Sequence, residues 1–442
     1  MRVLLFFYNL FFPVGLLFFL PGLIVKYRNR PGWKSTFGER FGRFTPERVK
    51  ELAAFHGAVW VHAVSVGEAV VALSSVRAWL RRDPELKIVI STTTTTGQEL
   101  VRKQLPERCA AIFCPIDFFP WVRRAFDVIR PSELVIFETE LWPELIAEAR
   151  RRGIPAALVN ARMSDHSARG YRRFRLFFAP LLRMLDLVAA QSEADLARYL
   201  SVAPGVNAVN TGNLKFDQQV PADLAALDTG RWFGARPEVL IAAASTHPGE
   251  EALIAKTFRG LLAAHPGARL VIVPRHAERG AEVAEILSGE GLSYCRKSLG
   301  EPPAHPVQVL LADTTGEMLS VMKASDIVIM GKSLAGQDEG HNLIEPALLD
   351  KPIVTGAVLK NFRFVQQVLR GAGALTEVRA DGELAGALDA LLRDGSRRRE
   401  LGEKGGAAIR RNAGAVDRTL DLLSELKRGQ QSREKTGKGP SI

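Results

Sequence analysis

Glu68 stands where a carboxylate could do chemistry. It lies in the stretch Trp60 to Leu73, where an apolar, β-branched run over 59–64 turns at Ser65-Val66-Gly67 into helical spacing through Val71, Leu73 and Leu80. The pattern is a strand, a tight turn and a helix with an acid in its first turn. In an open α/β sheet such corners lie above the carboxyl ends of the strands, where ligands bind. A glutamate there complements the positive end of the helix dipole. Facing a substrate, it can instead accept a proton from a hydroxyl. Both jobs are open to Glu68 on this stretch alone.

The elements that must position it follow from the rest of the first half. Strand-like runs at 59–64, 87–92, 111–114, 134–137, 156–160 and 187–191 alternate with helix-compatible segments. That order argues for a parallel sheet wound on both faces. The turns after these runs carry Thr92 to Thr96, Glu138-Thr139-Glu140-Leu141-Trp142-Pro143, Asn160-Ala161-Arg162 and Gln191-Ser192-Glu193. Glu138 and Glu140 repel if close, so one is expected to hold a proton or pair with a cation. A helix start, with Glu138 near the cap and Pro143 in the first turn, is the plainer reading. Phe37-Gly38-Glu39-Arg40-Phe41-Gly42 reads equally as an acceptor-side loop or a Gly-bounded linker turn.

A second alternation follows a Pro- and Ala-rich connection, with strands at 239–244, 270–273, 307–311, 326–330 and 352–355. Ser245 to Glu250 supplies small residues and backbone donors at a helix start, suited to a phosphate. Arg275-His276 puts a cation at a strand end, Asp313 to Glu317 opens a further helix, and Glu339 to Pro346 gives another Gly-bounded start. Each is ordinary alone. Together, on one sheet edge, they describe a nucleotide pocket: helix N-termini for phosphate, a carboxylate for ribose hydroxyls, an Arg for charge. Gly331-Lys332-Ser333 mimics the end of a P-loop, but the glycine that must open the pattern is missing, which excludes a P-loop NTPase.

At 442 residues the chain is too long for one ordinary core. The expected division is an N-terminal anchor and basic flank (1–31), a first Rossmann-like domain (32–213), a linker (214–237), a second such domain with closing helices (238–428) and a disordered tail (429–442). A net charge of +11 favours an acidic partner. Nucleic acid is not expected, since no motif and no aromatics interleaved with basic residues support it. Cys109, Cys114 and Cys295 lack metal-ligand spacing and read as reduced thiols of a cytosolic compartment. The 23 uncharged residues from Val3 to Val25 reach about 35 Å as a helix, against a bilayer core of about 30 Å. Pro13, Pro21 and Gly22 leave a kinked or half-inserted helix as the alternative. Lys26, Arg28, Arg30 and Lys34 follow it, so the globular part is expected on the cytoplasmic side.

Two doubly wound domains facing a crevice is the GT-B glycosyltransferase plan. The strings Ser65-Val66-Gly67-Glu68, Glu138 to Pro143, Asn160-Ala161-Arg162-Met163-Ser164, Gly212-Asn213-Leu214-Lys215-Phe216-Asp217, Pro274-Arg275-His276, Gly316-Glu317-Met318 and Gly340-His341-Asn342 through Glu345 resemble the 3-deoxy-D-manno-octulosonic acid (Kdo) transferase family. The likeness runs in order from about Trp33 to Phe362. It implies inverting transfer of Kdo from CMP-Kdo to a lipid A precursor at the inner face of the inner membrane, beside anionic lipids, with no cofactor and no metal. It makes Glu68 the proton acceptor and Glu138 and Lys215 the supports of the transition state. It assigns CMP to Arg275 and His276, to Gly316, Glu317 and Met318, and to Asn342, Leu343, Ile344 and Glu345. Lys332 and Glu339 depart from the family pattern, which commonly has Gly at both positions. The rival readings are a GT-B transferase of another nucleotide sugar and a non-catalytic, membrane-bound sugar-binding relative. The joint presence of Glu68, Glu138 and Lys215 argues against the latter.

Overall fold

The computed structural model describes residues 1–27 and 37–435. The chain forms two α/β units, one built from 1–217 together with the stretch from Ala413 onward, the other from Gln218–Asn412. Unit 1 carries β1 (Val59–His62), β2 (Ile88–Thr92), β3 (Cys109–Phe113), β4 (Glu133–Phe137), β5 (Ala156–Ala161), β6 (Leu187–Ala190) and β7 (Ala208–Asn210). All pair in parallel, in the order β3-β2-β1-β4-β5-β6-β7. Strands β1 to β6 are buried along their whole length, which is why they read as continuous apolar runs without alternation. Val59 lies opposite both Ile88 and Glu133, so β1 is central. The strand order reverses between β1 and β4, and the loops above those two strands form the ligand-binding position of such a sheet.

Unit 2 repeats the plan with β8 (Val239–Thr246), β9 (Ala268–Pro274), β10 (Tyr294–Arg296), β11 (Val309–Leu311), β12 (Ile327–Met330), β13 (Ile353–Gly356) and β14 (Leu375–Val378). Their order is β10-β11-β9-β8-β12-β13-β14, again parallel, with the reversal between β8 and β12. Strands β7, β10 and β14 are absent from the sequence reading. Each is three or four residues long, sits at a sheet edge and is only partly buried, so no apolar run marks it.

The last helix corrects the expected boundaries. Helix Ala415–Lys435 does not close the second domain; it covers the first sheet. Ala415, Val416, Leu420 and Leu423 are buried in one cluster with Val71, Val76, Val135 and Val159. Arg82 holds Asp417 at 2.6 Å and Asp421 at 2.7 Å, while Asp217 caps the helix by accepting the N–H groups of Gly414 and Val416. The helix also runs to Lys435, beyond the point where disorder was expected; 436–442 lie outside the described residues. Lys215, placed by sequence in a linker, belongs to unit 1.

The N-terminal segment is helical over Arg2–Tyr27, and it is tied to unit 1 by its few polar side chains. Tyr8 donates to Asp117 at 3.0 Å, Asn9 donates to Glu144 at 2.7 Å, and Phe12 stacks on Phe118. Val3, Phe6, Phe7, Leu10, Phe11 and Val14 are exposed. Among the described residues no helix is long and apolar enough to cross a membrane, so a spanning anchor lacks support. The basic flank at Arg28, Arg30 and Lys34 lies outside the described residues.

One strand position works against stability. Glu133 opens β4 fully buried, and neither carboxylate oxygen has a hydrogen-bond partner. Burial pushes its pKa from 4.5 up to about 8, with Lys427 only partly offsetting this. The folded chain then keeps a proton that the unfolded chain has released, so stability falls as pH rises from about 4.5 towards about 8. Glu133→Gln should stabilise the fold by about 3 kcal/mol at pH 7 and by little below pH ~4.5. Urea unfolding at pH 5 and pH 8 checks this; an equal gain at both would overturn the assignment.

Candidate functional site

Above β1, Ser65 caps helix Val66–Arg82 by accepting the Glu68 N–H at 3.3 Å. The Glu68 carboxylate turns back over the same turn. One oxygen accepts the Val64 N–H at 2.7 Å and the other accepts the Ser65 hydroxyl at 3.1 Å. This is a reciprocal cap of the Ser-x-x-Glu type. The structural job proposed for a first-turn acid is therefore real. It leaves Glu68 only 8 % exposed, and burial raises its pKa, with the charges of Glu140 and Glu138 acting in the same direction. The Val64 N–H and the Ser65 hydroxyl pull it partly back. A carboxylate so placed has a strengthened appetite for a proton, which is what a general base requires.

Glu138 follows β4, next to β1 in the sheet, and adopts a left-handed backbone at φ 61°. Such a conformation in a residue with a side chain is strained, and strain of this kind gathers at functional sites. Its buried carboxylate pairs with Lys215 at 3.1 Å and Arg162 at 3.2 Å. Asn160, also left-handed at φ 52°, accepts the Leu214 N–H at 3.0 Å and so seats the turn that carries Lys215. Gln191 donates to the Asn160 carbonyl and accepts from Asn213, extending the network across the ends of β5, β6 and β7. Glu138 is not a helix cap. Helix Pro143–Arg151 is capped instead by Asp117, which accepts the Glu144 and Leu145 N–H groups, while Glu140 accepts the Trp142 indole N–H at 2.8 Å.

In unit 2 the loops after β8 and β12 are sewn together by Glu250. This fully buried carboxylate accepts four backbone N–H groups, from His247 and Lys332 on one oxygen and from Ser333 and Leu334 on the other, all at 2.8–2.9 Å. Gly331 is required beside it, since a Cβ there would lie 2.2 Å from the Ser245 carbonyl oxygen. Arg275 and His276 follow β9, Gly316 to Met318 follow β11, and Asn342 to Glu345 follow β12. The Ser245 hydroxyl donates to the Met318 sulfur at 3.0 Å, and Lys297 holds Glu317 at 2.5 Å. Glu345 has one buried oxygen without a partner; burial raises its pKa, offset by Asn342 and by the charge of Arg275. His341 and His247 hydrogen-bond through their Nε2 atoms at 2.9 Å.

Thus Glu68, Glu138 and Lys215 gather at the reversal point of the first sheet. The residues expected to bind a nucleotide gather along the same edge of the second. Leu343 and Ile344 differ: their side chains are fully buried in the core, so only their backbone can serve a ligand. Sequence reasoning missed the roles of Asn160 and Glu250 and the His247–His341 pair. Asn directly after an apolar strand was a usable signal, because Asn tolerates the left-handed region.

Two doubly wound parallel-sheet units make this a GT-B-like α/β protein. A family model described as 3-deoxy-D-manno-octulosonic-acid transferase (kdotransferase) matches residues 35–218. The 3-deoxy-D-manno-octulosonic acid transferase of Haemophilus influenzae is 34 % identical over 388 residues, covering 85 % of this chain and 91 % of that one. The Bordetella pertussis transferase of the same name is 37 % identical over 411 residues, covering 89 % and 92 %. A crystal structure of the kitacinnamycin glycotransferase superposes with a TM-score of 0.52 at 14 % identity, over 84 % of this chain and 99 % of that one, a likeness of fold alone. The chain belongs to the Kdo transferase family.

Because Glu250 accepts four backbone N–H groups at once, Glu250→Gln turns one acceptor into a donor facing donors. The variant should lose about 2–4 kcal/mol of stability. Denaturant unfolding measures it, and an unchanged midpoint would mean that the two loops hold without this carboxylate.

Proposed function

We propose that this protein transfers Kdo from CMP-Kdo to a lipid A precursor at the cytoplasmic face of the inner membrane, in lipopolysaccharide assembly. The observation that carries the mechanism is the desolvated Glu68, raised in pKa and flanked by Glu140 and Glu138. Ionised Glu68 takes the proton of an acceptor sugar hydroxyl as that oxygen attacks the anomeric carbon. The bond from that carbon to the phosphate breaks, its electron pair leaves with CMP, and the configuration inverts. The sugar passes through an oxocarbenium-like state, as in glycosyl transfer generally. Lys215, held by Glu138, offers a positive charge to the anion that develops or to the sugar's own carboxylate.

On the donor side, Arg275 and His276 meet the phosphate. Gly316 to Met318 and the backbone at Leu343 and Ile344 line the nucleotide, and the unpartnered oxygen of Glu345 suits a ribose hydroxyl. The exposed face of Val3, Phe6, Phe7, Leu10, Phe11 and Val14 supports seating on a membrane surface, as do exposed Phe174 and Leu176 beside Arg173 and Arg175. Transfer of a different activated sugar acid is the second reading, favoured by Lys332 and Glu339 at the donor edge. Incubation with CMP-Kdo and lipid A precursor, followed by product mass, separates the two.

Glu68→Gln should leave folding and CMP affinity intact while kcat falls by about 10²–10⁴-fold; turnover near that of the wild type would remove Glu68 from the role of base. The base must be ionised, and its pKa is raised, so the acid limb of the kcat/KM profile should lie at higher pH than an ordinary glutamate gives. A limb at the ordinary carboxyl position would assign the titration elsewhere.

A further inference from the structure

At Lys332 backbone and side chain make opposite demands. It leaves β12 at the point where the strand order reverses, in a left-handed conformation at φ 59° that favours glycine. Its backbone is clamped on both sides: the N–H donates to Glu250 at 2.8 Å and the carbonyl accepts the Gly340 N–H at 2.7 Å. The ammonium therefore projects from a fixed stem, and it pairs with Glu339. Glu339 is about half exposed, and exposed ion pairs contribute little. A strained position carrying a long cation that is only weakly occupied calls for a use.

The surroundings supply one. The His247 and His341 rings stack at 5.2 Å and share one hydrogen bond between Nε2 atoms, so the pair holds one proton there and cannot carry two without separating. His276 stands edge-on to His247 at 6.2 Å. Burial lowers the pKa of both paired imidazoles, His341 to about 4, and the charges of Lys332 and Arg275 push in the same direction. Near neutral pH the cations here are thus Lys332 and Arg275, with the paired imidazoles of His247 and His341 neutral. The anions around them are already engaged or buried: Glu251 is held by Arg279 at 2.6 Å, Glu345 is buried, and Glu339 lies on Lys332. Positive potential that two neutral imidazoles feel and one exposed carboxylate offsets is suited to a further anion.

We propose that Lys332 binds an anionic group of the donor, and that Glu339 occupies the ammonium until that anion displaces it. This rests on the reading of this edge as the donor site. A nucleotide-activated sugar acid carries two such groups, a phosphodiester and a carboxylate, and an ammonium can bind either. Lys332 then acts as a specificity residue peculiar to chains that carry this pair, set against Glu339 as an internal competitor.

The test uses the full chain, CMP titrated by calorimetry and CMP-Kdo in steady-state transfer. Lys332→Gly removes the ammonium and relieves the left-handed strain, so loss of binding in it is not loss of fold. It should weaken CMP, or raise KM for CMP-Kdo, by about tenfold, the scale of one charge-assisted hydrogen bond. Glu339→Gln should shift the same quantity severalfold in the opposite direction, and should do nothing when Lys332 is already Gly. An effect on CMP itself assigns the phosphate; an effect confined to the KM of CMP-Kdo assigns the sugar carboxylate. If neither variant moves either quantity, or both weaken binding alike, the inference fails and the donor reading stands. If the wild-type chain binds no CMP, the donor reading fails and takes the inference with it.

Discussion

A carboxylate removed from water must be held by donors, and both sheets of this protein place one at the point where strand order reverses. The two are held unequally, and the inequality separates structure from chemistry. Glu250 receives four backbone N–H groups, enough to fill the lone pairs of both oxygens. It fastens two loops, although burial still raises its pKa against the pull of those four donors. Glu68 receives one backbone N–H and one hydroxyl, with two further carboxylates near it. That leaves it buried, anionic and under-supplied, so a proton from outside is welcome. The same residue type after the same kind of strand thus fastens loops in one sheet and, in the proposed reaction, serves as the base in the other.

The remaining site residues follow from what fixed positions cost. Glu138 and Asn160 accept left-handed backbone at the ends of neighbouring strands, and they are kept there by hydrogen bonds converging from the ends of two further strands, β6 and β7. Such strain persists only where the surroundings over-determine it. The surroundings here are the carboxyl ends of β4 to β7, one side of the parallel sheet out to its edge. Lys215 is held by the same network: its turn is seated by Asn160 and its ammonium by Glu138.

Much of this was legible in the residues. Continuous apolar runs located the central strands because those strands are buried on both faces, and the turns behind them named Glu68, Glu138 and Arg275. The short edge strands were not legible, since β7, β10 and β14 have no buried run to betray them. The destination of the last helix was not legible either. Leu420 and Leu423 announce an apolar face, but periodicity does not say which sheet the face covers. Nor could spacing show that Leu343 and Ile344 point inward, because a motif that binds through its backbone and one that binds through its side chains look alike as letters. The pairing of Lys332 with Glu339 was hidden for a related reason: seven positions apart on an irregular loop, no periodic rule brings them together.

The return of the chain to unit 1 at Ala413 makes Gln218–Asn412 an insertion in the middle of another domain. During synthesis the inserted unit is complete on the nascent chain while the host sheet still lacks its covering helix. The helix start is capped by Asp217, which leaves the ribosome some two hundred residues earlier. The first domain to begin is consequently the last to be sealed. Until then the apolar side of its sheet, around Val61, Val135 and Val159, stands open to chaperones and to premature association.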